Sequence, residues 1–235
     1  MQAIYLVRHG HPELPDDAPR FLGRTDLPLS ERGRGEARRL KAALESIPFD
    51  LVVHSGLRRA EETAAIVTEG RTAPLRVERA FQEIRCGDWE MRTLADIAAS
   101  DPEAFEARAK DFAGYRPPGG ESFTDVRDRA WPAFQSLLKR ERGDLLVVAH
   151  AGVLRALIVA VLGLSWEKLF SVTQDYCGVH VLERHDDHLM VRRLNWLPDL
   201  RPSNGQGCAS QPCPTGHPRS ESPPCTGSEQ EPVRL

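Results

Sequence analysis

Apolar residues are distributed along the chain in two distinct patterns. Ala3–Val7, Leu51–Val53 and Leu145–Ala149 are short runs without alternation. A strand inside a parallel sheet buries both of its faces, so these runs predict central strands, most clearly at 145–149. Elsewhere the apolar positions recur at helical spacing. Ala37, Leu40, Ala43, Leu44 and Ile47 mark one face behind Ser30 as N-cap, and Ala60, Thr63, Ala64 and Val67 mark another behind Ser55. Ser122 and Asp125 have capping-box spacing ahead of Val126, Ala130, Phe134, Leu137 and Leu138, and Pro132 is expected to kink or divide that helix. Thr93–Ala113 predicts one or two helices with Pro102 in a first turn, and Val153–Leu162 a deeply packed one. Arg76-Val77 predicts a further short strand, and Val179–Leu182 with Leu189–Val191 a hairpin at one side of the sheet. Strands alternating with helices imply a three-layer α/β/α sandwich around a mostly parallel, doubly wound sheet.

Each predicted central strand ends on chemistry. The first stops at Arg8-His9-Gly10, the second at His54-Ser55 and the third at His150. In open α/β sheets ligands bind beyond the carboxyl ends of the strands, so the imidazoles would gather along one functional rim. A single histidine at a strand end is more often structural than catalytic. The arrangement together with arginines is what carries weight.

Composition narrows the setting. From Pro202 onward, the last 34 residues hold seven of the 18 prolines, four of the 18 glycines and no aromatic. Such a segment buries too little apolar surface to offset its ordering entropy, which predicts one folded domain over 1–201 and a disordered tail over 202–235. A net charge of -3 excludes the broad electropositive field that nucleic-acid binding requires. No export signal is visible, and the longest apolar stretch, 145–164, is broken by His150 and Arg155, so no membrane association is expected. Five cysteines without a C-x-x-C pair suit a reducing cytoplasm, and Cys213 with His217 has no second pair to close a tetrahedral metal site.

Six stretches then stand in a telling order: LVRHG at 6–10, GRTDLPLSERG at 23–33, SGLRRAEETA at 55–64, EIRCGDWE at 83–90, GGES at 119–122 and VVAHAGVLRAL at 147–157. Together they resemble the histidine phosphatase superfamily, the phosphoglycerate mutase-like proteins, over about Ile4 to Leu194. The resemblance implies His9 as the nucleophile of a phosphohistidine intermediate, Arg8 and Arg59 as a phosphate clamp, His150 as a further phosphate ligand and Glu83 as general acid. Arg59 rather than Arg58 falls on the family position, and Arg58 reads as a solvated helix face. Glu78, Asp88 and Glu90 compete with Glu83 for the acid role. No cofactor or metal is implied. A metallohydrolase using His9, His11 and His54 lacks the required carboxylate-plus-histidine spacing.

Departures from the family pattern bear on substrate. Arg8-His9-Gly10 continues into His11-Pro12-Glu13, with no asparagine until Asn195. This looks more like the α-ribazole-5'-phosphate phosphatase branch than like the mutases, and the stretch from Glu90 to Gly119 is shorter than the mutase insertion. Ala151 stands where family members often have glycine, and Met91 replaces a common glycine after Trp-Glu. The expected activity is hydrolysis of a small phosphorylated metabolite, α-ribazole phosphate being the leading candidate. A mutase and a non-catalytic phosphate-binding module are the alternatives, and a homodimer is the candidate assembly.

Overall fold

The computed structural model describes residues 1–186, 188–197 and 233–234. Its sheet consists of β1 (Gln2–Arg8), β2 (Leu51–His54), β3 (Leu75–Val77), β4 (Leu145–Ala149), β5 (Val179–His185), β6 (His188–Trp196) and β7 (Val233–Arg234), in the order β3-β2-β4-β1-β5-β6-β7. β3, β2, β4 and β1 are mutually parallel, whereas β5, β6 and β7 add on antiparallel. The sheet is therefore mixed, with the expected hairpin forming its antiparallel flank. The tail predicted over 202–235 lies, but for Val233–Arg234, outside the described residues.

The unbroken apolar runs are buried on both faces, as their pattern demands. Leu145, Val147 and Ala149 of β4 join Ile4 and Leu6 in one core, while Leu146 and Val148 join Val7 and Val52 in the other. The first core is roofed by α5 (Phe123–Arg140) and α6 (Ala151–Leu162), the second by α1 (Glu31–Ala43) and α2 (Arg58–Thr68). Each such Leu, Ile or Val, fully buried, contributes about 1.5–3 kcal/mol. Two shorter helices, α3 (Leu94–Ser100) and α4 (Pro102–Lys110), stand beside a third cluster of Cys86, Trp89 and Ile97. Their boundary is local: Asp101 ends α3 and caps α4 through Ala104 N, with Pro102 in the first turn. Among the described residues no helix is long and apolar enough to cross a membrane.

Three expectations require correction. Of the kink or division expected at Pro132, division does not occur, since α5 runs through it for 18 residues. Pro132 and Asp128, whose carbonyl loses its partner, are both exposed, while buried Ala130 and Phe134 hold the turns on either side. Ser55 does not cap α2: the N-cap is Leu57, without a side-chain bond, and Asp26 accepts from Arg58 N at 2.7 Å instead. Ala43 is exposed at the end of α1 rather than on its buried face. The hairpin strands also run longer than their apolar cores, since β6 is largely exposed and gives little hydrophobic signal.

A proline in an exposed helix interior is a removable cost. Pro132→Ala is expected to stabilise the chain by about 1–3 kcal/mol, read as a higher urea midpoint at unchanged m-value. A lower midpoint would show that the proline serves packing.

Candidate active site

Strand register brings the rim residues together. In the parallel β1–β4 ladder Arg8 pairs with Ala149, and in β2–β4 His54 pairs with Val148. The next residues along, His9, His150 and Ser55, therefore emerge side by side. His9 N donates to Ala149 O at 3.1 Å, the His9 and His150 rings lie 5.0 Å apart, and Ser55 Oγ is 2.7 Å from His150 Nε2. The backbone beyond β1 can press onto the start of α1 because both partners are glycine. A Cβ on Gly10 would meet Gly33 O at 2.6 Å, and one on Gly33 would meet His11 O at 2.1 Å. Gly10 thus serves close packing of two backbones.

The His9 tautomer is determined from both sides. Its Nδ1 lies 2.7 Å from Gly10 O, which can only accept, so Nδ1 carries the proton. Its Nε2 accepts from Arg59 Nε at 3.2 Å and is therefore unprotonated. Arg59, near the start of α2, is fully buried; one donor of Nη1 goes to Thr25 O and one of Nη2 to Gly23 O, both at 2.8 Å. Arg8 donates to Gln174 O at 2.5 Å and lies 3.7 Å beneath the Tyr176 ring centroid. Arg8 Nε and His150 Nδ1 are buried and lack a hydrogen-bond partner among the described residues.

Burial, then the guanidiniums of Arg59 and Arg8, push the His9 pKa well below the ordinary imidazole value. His150 is lowered for the same reasons, with His9 adding to them. Burial lowers Arg59 as well. Both imidazoles are thus neutral beside the guanidiniums of Arg59 and Arg8, a setting that favours an incoming dianion.

Glu83 lines the same cleft. Its Oε2 accepts from Gly152 N at 3.2 Å and its Oε1 from Ile84 N at 2.9 Å. The N-terminus of α6 thus presents this amide to Glu83. A Cβ on Gly152 would lie 2.5 Å from Glu83 Oε1, so a side chain there would displace this carboxylate, whereas its neighbour is tolerated as Ala151. The competing carboxylates are otherwise engaged. Glu90 accepts from Arg24 N and Thr25 Oγ1, Glu78 from Ala80 N, and Asp88 is exposed outside the cleft. Met91, where glycine is common, adopts φ 64° while its N–H donates to Phe21 O at 2.7 Å. The loop keeps its left-handed turn despite the side chain.

The cleft holds about 650 Å³. Arg8, His9, Arg59 and Glu83 line it, His150 lies fully buried beside His9, and exposed Arg58 is outside. His54 does not reach it; burial lowers its pKa, and its Nδ1 has no partner among the described residues. His11 does line it, edge-on to Tyr176, with Nδ1 held by Ser30 Oγ at 2.9 Å. Among the described residues no group of three His, Cys, Asp or Glu side chains could hold a metal. Tyr176 and Gln174, which seat Arg8, have no sequence signal; Arg24 and Glu121 lie within the motifs but without an assigned task.

Residues 4–197 match the histidine phosphatase superfamily, branch 1. The chain belongs to that family. It is 38% identical over 161 residues to an adenosylcobalamin/α-ribazole phosphatase of Salmonella typhimurium, covering 68% of this chain and 79% of that protein. A glucosyl-3-phosphoglycerate phosphatase of Mycolicibacterium vanbaalenii is 32% identical over 172 residues, 70% of this chain and 76% of that one. The α-ribazole phosphatase structure from Shigella flexneri superposes with a TM-score of 0.75 at 30% identity, covering 83% of this chain and 96% of that one. This histidine phosphatase is a phosphoric monoester hydrolase, and the mutase and binding-module readings give way.

Two outcomes follow from this geometry. His9 and His150 have folded pKa values below their unfolded ones, so the unfolded chain binds more protons as pH falls below about 6.5. Stability is expected to be full above that pH and to drop below it, by up to about 1.4 kcal/mol per pH unit per buried imidazole. Urea midpoints between pH 7 and 5 check this, and a flat profile would contradict the neutral pair. Gly152→Ala is expected to lower kcat at least about tenfold by displacing Glu83, while Ala151→Gly leaves it within about twofold.

Proposed function

We propose that the chain hydrolyses a small phosphorylated metabolite by way of a phosphoryl group carried on His9 Nε2. The observation that supports this reading is the ring's fixed tautomer, with Nδ1–H on a carbonyl and a lone pair waiting against Arg59. The Nε2 lone pair attacks phosphorus, an N–P bond forms and the ester P–O bond breaks. Glu83, as its protonated acid, gives its proton to the departing alkoxide. Water then attacks phosphorus, loses a proton to the Glu83 carboxylate, and the N–P bond breaks to release phosphate. Arg8 and Arg59 donate to the phosphoryl oxygens, where their planar forks suit a tetrahedral dianion and the charge that spreads over it during transfer. His150 Nδ1, a buried nitrogen without a partner among the described residues, adds a third contact once the dianion raises its affinity for a proton.

The rest of the cleft suits a leaving group with an apolar body. Phe112, Phe123 and Phe170 line it with ring centroids 4.4–6.1 Å apart, and Phe170 keeps 52% of its surface exposed. Arg108 lies 4.4 Å over Phe112. With relatives named for α-ribazole phosphate, that compound is the leading substrate of this chain. The buried free thiols of Cys86 and Cys177 support a cytoplasmic setting.

Rapid quench with ³²P-labelled α-ribazole phosphate is expected to trap an acid-labile, alkali-stable label on the wild type and none on His9→Ala. Free phosphate should be released, at a kcat/KM at least about tenfold above that for 3-phosphoglycerate. A label that persists in His9→Ala would move the nucleophile elsewhere.

A further inference from the structure

The stretches at 23–33 and 119–122 supply no reacting group, yet they meet behind Glu83. Arg24 Nε and Arg129 Nη2 each donate to the Glu83 backbone carbonyl at 3.1 Å, and Arg129 Nη1 donates to Ala80 O at 2.6 Å. The Glu121 carboxylate lies between the two guanidiniums. It accepts from Arg24 Nη2 at 3.1 and 3.2 Å, and from Arg129 Nε and Nη2, both at 3.1 Å. Its Oε2 also accepts from Arg85 N at 3.0 Å, while its own N–H donates to Arg85 O at 2.8 Å. The three side chains are only 30%, 20% and 15% exposed for Arg24, Arg129 and Glu121, so water screens this cluster poorly. Burial opposes ionisation of Glu121, but bonds from Arg129 and the Arg85 amide, with both guanidinium charges, hold its pKa below the usual carboxylate value.

We infer that Glu121, Arg24 and Arg129 form a clamp that positions Glu83 and sets the charge around it. The inference rests on Glu83 being the proton donor. Two donors lock its backbone carbonyl while Gly152 N and Ile84 N hold its carboxylate, so both ends of the residue are tied. Glu121 cancels one of the two positive charges. Without that anion two uncompensated guanidiniums would stand behind the residue that has to carry a proton to the leaving group. The other groups acting on Glu83 are Arg59 from α2, Arg155 from α6 and Cys86, whose thiol burial pushes up to about 12 and so leaves neutral. The clamp is a positioning device and touches no reacting atom.

Glu121→Gln keeps the side chain's size and removes its charge, while turning one of its two acceptor oxygens into a donor. The test compares kcat/KM against pH for glycerol 3-phosphate, whose alkoxide needs a proton, and p-nitrophenyl phosphate, whose phenolate does not. For glycerol 3-phosphate the high-pH limb is expected to move down by about one unit, with about a tenfold loss above it. For p-nitrophenyl phosphate the change should stay within about twofold, and Glu121→Asp should restore the limb. Arg24→Gln removes a positive charge and should move the same limb upward, which carries the test even where Glu121→Gln does not fold. A limb that stays in place in the folded variants, or equal losses on both esters, overturns the clamp. Glu83→Gln separates the two levels. If it spares glycerol 3-phosphate hydrolysis, the acid assignment has failed; if it abolishes it while the Glu121 and Arg24 variants behave as wild type, only the clamp has.

Discussion

The site depends on a positive charge buried without a carboxylate in contact. Arg59 is fully enclosed, and its hydrogen bonds go to two carbonyls and an imidazole. Arg8 is seated beside it on a carbonyl and an aromatic ring. Removing a guanidinium from water is costly unless its donors are satisfied, and here dipoles satisfy them without cancelling the charge. The field is left for the substrate. Together with burial, it keeps the nearby imidazoles unprotonated.

One short loop joins the two halves of this chemistry. The carbonyls of Gly23 and Thr25 hold Arg59, while the Arg24 side chain between them reaches the Glu83 carbonyl and Glu121. Glu90 in turn fastens the loop through Arg24 N and Thr25 Oγ1. Gly23 has φ 54°, and a Cβ there would lie 2.5 Å from Glu90 Oε1, so glycine takes this turn without strain and without displacing Glu90. Displacing the loop would therefore disturb the seating of Arg59 and of Glu83 together. The tight seating of Glu83 against Gly152 follows the same economy, since one amide both starts a helix and orients a carboxylate.

What could be read from the chain alone was whatever short-range physics controls. Doubly buried strands at 145–149 and 51–53 must be apolar throughout, so they announced themselves, and a sheet of such strands places His9 and His150 at one rim. The family resemblance named Arg59 over Arg58, and the burial of one and exposure of the other give the reason in packing. Pro132 misled because helix propensity is a local quantity, and the buried residues on both sides outweighed it. Ser55 misled because its hydroxyl was wanted by His150, 95 residues away in sequence.

Only the tertiary structure decided the rest. Which nitrogen of His9 is free, which carboxylate of four can act, and what holds Arg8 depend on partners far apart in the chain: Gln174, Tyr176, Gly152. Sequence by itself determined the strands, the order of the helices and the residue types at the rim, because periodicity and strand-end position are properties of consecutive residues. The charge state and orientation of those residues belong to the fold, because desolvation and hydrogen bonding act through space.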